Sequence, residues 1–141
     1  MKDFKILLPV DGSEGSSQAI EMAKEMAKKF DAHIILFNSA DIRPQASAHY
    51  AYDNIIVDAM KKNSDLIISD AEKELKDFDV ESIKVIGRAG DKIVDYCENN
   101  PVDLIIMATR GIGAVERFFV GSVTTYVLHH SPVPVLAIPV R

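Results

Sequence analysis

At 141 residues, with 48% hydrophobic and 26% charged side chains, the chain has the size and composition of one folded domain spanning residues 1–141, not of a disordered segment. A formal net charge of -5, with no basic run longer than Lys28-Lys29 or Lys61-Lys62, argues against general binding to nucleic acid or anionic membranes, because both rest on clustered positive charge. The lone cysteine, Cys97, offers neither an internal disulfide nor a metal-ligand spacing, as expected of a cytoplasmic protein, and no apolar run approaches the roughly 20 residues of a membrane-spanning helix.

Phe4 to Leu8 is an apolar run stopped by Pro9, the pattern of a strand buried on both faces. From about Ser13 the pattern turns helical, with Ala19, Ala23, Met26 and Phe30 along one face and Lys28-Lys29 at the C-terminal end. His33 to Asn38 reads as the second strand. A polar loop through Arg43-Pro44-Gln45 leads to a helical region from Ile55 to Phe78, where Ile56, Met60, Ile67, Ala71, Leu75 and Phe78 share a face and Asn63-Ser64-Asp65 offers a break. Ser82 to Ile86 predicts a third strand, Asp91 to Glu98 a short helix with Ile93, Val94 and Cys97 inward, and Leu104 to Met107 a fourth strand. Val123, Tyr126, Val127 and His130 mark a further helix face, and Pro134 to Val140 a last strand.

Five strands alternating with four main helices imply parallel pairing through right-handed crossovers, and so an open α/β sheet with helices on both faces. In such sheets ligands bind beyond the carboxyl ends of strands where the strand order reverses. Two loops qualify: Val10-Asp11-Gly12-Ser13, and the stretch from Ala108 to Gly113. Ser13 suits a helix cap, and Asp11, two residues earlier, suits either a cap or a ribose hydroxyl or base amino group. In Gly121-Ser122 a hydroxyl and free N–H groups converge at a helix start, where the dipole favours a phosphate by ~0.3–1 kcal/mol; an ordinary serine cap is the alternative. Gly111-Ile112-Gly113 is a poor dinucleotide fingerprint, since Glu116 stands at the third glycine's position, and no Gly-Lys pair exists for a Walker A loop.

Several other residues have plainer readings. Arg110 and Arg117 could neutralise phosphate, though Glu116 beside Arg117 equally suggests a surface pair. Phe118-Phe119-Val120 reads as core packing, Cys97 as a buried thiol, and His129-His130 as a helix C-terminus without a third zinc ligand. His33 and His49 have no constellation to join, and no Ser-His-Asp or paired-carboxylate set assembles at the strand ends. The segment Asp41 to Asn54 is long for a connection and is expected to act as a lid over the ligand, a role that unchanged hydrogen exchange under saturating ATP would refute.

The spacing from Gly111 to Gly121-Ser122, with Ala108 three residues before Gly111, resembles the tail motif of the universal stress protein family. There nucleotide-binding members carry Gly, two residues, Gly, nine residues, then Gly and Ser or Thr. Ile6-Leu7-Leu8-Pro9-Val10-Asp11-Gly12-Ser13 is similar to the family's opening strand and Ser131-Pro132-Val133-Pro134-Val135-Leu136 to its closing strand. The resemblance implies an adenine nucleotide alpha hydrolase-like fold with strand order 3-2-1-4-5. It further implies ATP, or ADP or AMP, lying across the ends of the first and fourth strands. Asp11 would face the adenosine, Ser39 and Ala40 the adenine, and Gly111, Gly121 and Ser122 the phosphates, with Pro9, Val10, Ala108, Arg110 and Val123 as further nucleotide-binding residues. Asp11 could hold Mg²⁺ through the nucleotide. Ala108 puts a methyl group where the family keeps glycine, and is expected to tighten the approach of ribose or phosphate. The implied protein is a cytoplasmic stress-response regulator with little or no turnover, a homodimer through its closing strand, where Pro134 and Pro139 limit the bonds the edge donates. The alternatives are a nucleotide-free protein-interaction module, for which Ala108 speaks, and a slow ATP hydrolase.

Overall fold

The structure, a computed structural model, describes residues 3–41, 54–110 and 120–140. Along these residues the chain runs β1 (Lys5–Pro9), α1 (Glu14–Phe30), β2 (His33–Ala40), α2 (Asn54–Glu74), β3 (Val80–Ile86), α3 (Ala89–Asn99), β4 (Leu104–Ala108), α4 (Ser122–His130) and β5 (Val135–Ile138). The strands form one five-stranded sheet in the order β3-β2-β1-β4-β5. All pairings are parallel, with Leu7 opposite Ile35 on one side and Ile105 on the other. The expected architecture and strand order are both present.

Alternation along the strands divides the core in two. Ile6, Leu8, Ile34, Leu36 and Ile106 face α1 and α2, while Leu7, Ile35, Phe37, Ile105 and Met107 face α3 and α4. Each fully buried Leu or Ile contributes about 1.5–3 kcal/mol, so both helix layers are held mainly by the three central strands. That burial fixes the register, because a slip of one residue would exchange the two faces.

The helices differ from their sequence-based expectations in instructive places. On α1 the buried stripe is Ala19, Ile20, Ala23 and Ala27, whereas Phe30 is 49% exposed and stacks on Phe4 with ring centroids 4.8 Å apart. Asp31, in the left-handed region at φ 52°, ends the helix by donating its N–H to the Ala27 carbonyl. On α2 no break occurs at Asn63-Ser64-Asp65, because Ser64 is buried and its hydroxyl donates to Asn38 Oδ1 at 2.6 Å. On α4 the inward residues are Thr124 and Val127, while Val123 and His130 lie outward. β5 stops at Ile138, short of Pro139 and Val140. His33 is also better connected than expected: Nδ1 meets Asp79 Oδ2 at 3.0 Å and Nε2 meets Glu81 Oε1 at 2.9 Å, clasping β2 to β3. None of the described helices is long and apolar enough to cross a membrane.

Candidate functional site

β1 and β4 are neighbours whose onward connections leave to opposite sides of the sheet, so a crevice opens beyond their carboxyl ends. It measures about 410 Å³, and its lining includes Pro9, Val10, Asp11, Ser39, Ala108, Arg110, Gly121, Ser122 and Val123. Nine residues singled out from the sequence therefore meet in one place. Ala40 does not join them: strand alternation turns it to the opposite face from Ser39, where it is buried. Gly111, the remaining flank of the β4 loop with Arg117 and Phe118-Phe119, and residues 42–53 of the lid segment lie outside the described residues.

The β1 side of the crevice is a closed hydrogen-bond circuit. Gly12 takes φ +82°, which reverses the chain. Ser13 then caps α1, its Oγ accepting from the Ser16 N–H at 3.3 Å. Asp11 Oδ1 accepts from the Ser13 N–H at 2.9 Å and from Ser16 Oγ at 2.8 Å, and Ser16 Oγ in turn accepts from the Asp11 N–H at 3.0 Å. Asp11 is thus both the last turn residue and the only carboxylate among the described residues lining the crevice. Val10 sits deeper, its N–H donating to the Phe37 carbonyl at 2.9 Å. Its carbonyl accepts from Asn38 Nδ2 at 2.8 Å.

The β4 side is arranged the opposite way. Gly121 is the N-cap of α4 and provides no side-chain cap, so N–H groups in the first turn, at Ser122, Val123 and Thr124, face the crevice rim without one. Thr124 is buried and spends its hydroxyl on the Ala108 carbonyl at 2.7 Å. The Gly121 N–H donates to the Thr109 carbonyl at 2.7 Å, and the Thr109 N–H to Ile138 at 2.9 Å. A Cβ on Gly121 would come within 3.3 Å of Arg110 Cα, so the loop and the strand exit approach closely here. Such an end, with a positive dipole and bare backbone, suits an anion.

Ala108 is among the residues lining this crevice. It shares its strand face with Leu104 and Ile106, and its methyl abuts α1, where a Cβ on Gly15 would lie 2.9 Å away. Arg110 leans toward the chain end, its Nη2 3.5 Å from the Val140 carbonyl.

Across the crevice, Ser39 Oγ donates to the Gly87 carbonyl at 2.7 Å and the Gly87 N–H donates to the Ala40 carbonyl at 2.9 Å. This joins the end of β2 to the turn before α3. Phe37, Ala89, Ile93 and Met107 make an apolar wall beside it. Sequence reasoning missed these four, and also Ser16, Asn38 and Thr124. Phe37 and Met107 were recoverable from period-two alternation, whereas Asn38 with Ser64, and Thr124 with Ala108, are pairs distant in sequence that only folding reveals.

Cys97 and Tyr126 lie outside the crevice lining. Burial pushes the Cys97 thiol up to about 11, in keeping with a buried, unreactive cysteine. A hydrogen bond to Asp91 holds the Tyr126 phenol above its ordinary 10.0, while its ring lies against Gly90 and stacks on His130 with centroids 4.1 Å apart.

The family model described as universal stress protein family matches residues 4–139. The chain belongs to that family. A putative universal stress protein of Staphylococcus saprophyticus is 31% identical over 137 residues, covering 94% of this chain and 81% of the relative. Among solved structures, that of the hypothetical protein MJ0577 superposes with a TM-score of 0.87 at 29% identity, covering 100% of this chain and 99% of that one. A universal stress protein from Archaeoglobus fulgidus in complex with dAMP superposes with a TM-score of 0.66 at 22% identity, covering 98% and 99%. The fold is of the adenine nucleotide alpha hydrolase-like type.

Proposed function

We propose that this protein is a stress-response regulator that binds ATP, or ADP or AMP, across the ends of β1 and β4, with little or no turnover. The observation that carries the reading is the convergence on one crevice of an uncapped helix start at Gly121-Ser122 and an acidic turn at Asp11. The relative in complex with dAMP is consistent with an adenylate in this family.

In the proposed pose the base lies against the apolar wall of Phe37, Ala89, Ile93 and Met107, with Ser39 at its edge. Asp11 faces the ribose. Ser122, Val123 and Arg110 take the phosphates through backbone N–H groups and one guanidinium. The cradle suits the group: Gly121 lets the backbone come close and, as the N-cap, supplies no side-chain cap to the N–H groups of the first turn. Mg²⁺, if it enters with the nucleotide, has Asp11 as its carboxylate among the described lining residues. Bound ATP would bring its own reactive phosphoanhydride, but no base or nucleophile pair is identified to act on it, which favours holding over hydrolysis. The protein is proposed to act in the cytoplasm as a homodimer, two β5 edges pairing antiparallel.

The nucleotide-free alternative rests on Ala108, whose methyl lies against α1 while the residue also lines the crevice. The test is direct. Purified protein is denatured and its released small molecules are separated by chromatography, and ATP binding and consumption are then measured on fresh protein. Binding without consumption supports the proposal, absence of both supports the interaction module, and rapid consumption would make the protein an enzyme.

A further inference from the structure

The exit of β4 is held from four sides. Thr124 on α4 grips the Ala108 carbonyl, the Gly121 N–H and the Ile138 carbonyl grip Thr109, and α1 supplies the fourth side. There the contact is made by a residue without a side chain. Gly15, the second residue of α1, is buried, and a Cβ on it would stand 2.9 Å from Ala108 Cβ, 2.9 Å from the Arg110 carbonyl oxygen and 2.9 Å from Val140 Cγ2. Carbon atoms in contact settle at about 3.5–4.0 Å, so an added methyl would displace what surrounds it. Val140 can yield by rotation. Ala108 and the Arg110 backbone cannot, because both belong to the braced strand exit.

We propose that Gly15 is a positioning residue for the phosphate end of the crevice: its missing side chain sets where Ala108 and Arg110 lie, with Val140 as the third member of the contact. The inference rests on the nucleotide-binding reading above. Arg110 Cα in turn lies 3.3 Å from the place of a Gly121 Cβ, so a shift of Arg110 passes to the cap of α4 and to the N–H groups it presents. The apolar wall of the crevice is built from β2, β4 and α3, and the three atoms nearest to a Cβ on Gly15 belong to none of its four side chains. The same geometry explains how Ala108 is tolerated. The strand gained a methyl at a point where the helix opposite carries none.

Calorimetric titration of the full chain with ADP and with adenosine, alongside thermal melting, tests this in wild type, Gly15→Ala and Gly15→Ala/Ala108→Gly. Gly15→Ala is expected to lose about tenfold in ADP affinity while adenosine changes by less than about twofold. The double variant, which relieves one of the three contacts, is expected to regain part of the ADP affinity. Unchanged ADP affinity, equal losses for both ligands, or no recovery in the double variant overturns the proposal. If Gly15→Ala does not fold, Val140→Ala is measured instead: a loss of about threefold confined to ADP supports the proposal, and no change overturns it. Wild-type protein that binds neither ligand defeats the nucleotide reading itself, and the role of Gly15 falls with it.

Discussion

Two helices begin beside the crevice, and their first turns are built in opposite ways. At α1, Ser13, Ser16 and Asp11 bond to one another, and the Ser13 side chain caps the Ser16 N–H of the first turn. At α4, Gly121 supplies no cap and Thr124 directs its hydroxyl backward to the Ala108 carbonyl. A helix start that answers its own N–H groups is scaffold; one that leaves them exposed at the mouth of a cavity has an electrostatic use for an anion. Both helices follow central strands of the same sheet, yet Ser13 supplies a side-chain cap to one and Gly121 none to the other.

The sharpest attempt to break this comparison is Gly121→Val, which puts a branched side chain between the cradle and Arg110. It is expected to lower ATP affinity by at least about a hundredfold while far-UV circular dichroism stays native. Unchanged affinity in calorimetry would remove α4 from the site. Asp11→Ala comes next, with a loss of about tenfold in ATP affinity and a lower melting temperature, because the same carboxylate serves the α1 circuit. A purely structural Asp11 would lower the melting temperature alone. Smallest at the site is Ser13→Ala, expected to cost about 0.5–2 kcal/mol in denaturant unfolding and to leave ATP affinity within about twofold. A larger binding loss there would mean that the α1 start also meets the ligand.

A fourth measurement probes the core under α3. With burial holding the Cys97 thiol at about 11, almost none of it is thiolate at pH 8, so alkylation of the folded protein should be far slower than in denaturant. Equal rates would show that the α3 layer opens readily.

The apolar runs of β1, β2 and β4 were legible because strands buried on both faces admit little but Val, Ile, Leu and Phe. The turns at Gly12 and Gly121 were legible for a related reason: a positive φ in one case and a close backbone approach in the other leave few residue choices. Helix faces were read less well. Phe30, Val123 and His130 fit a helical period yet are exposed, and periodicity records direction without recording how far the neighbouring layer extends. Ser64 looked like a helix breaker, since its partner Asn38 belongs to another element. What the Ala108 methyl meets was hidden for the same kind of reason, since its neighbour Gly15 belongs to another element.

The linear order of residues by itself determined the alternation of strand and helix, the parallel sheet that follows from it, and the glycine-marked strand ends where a ligand can approach. These are local matters of φ, side-chain period and chain reach. Folding alone decided which polar groups answer one another across the sheet, which face Ala40 and Ala108 take, and which of two helix starts remains open. Those outcomes depend on distances between elements far apart along the chain, and packing sets such distances only when every layer is in place.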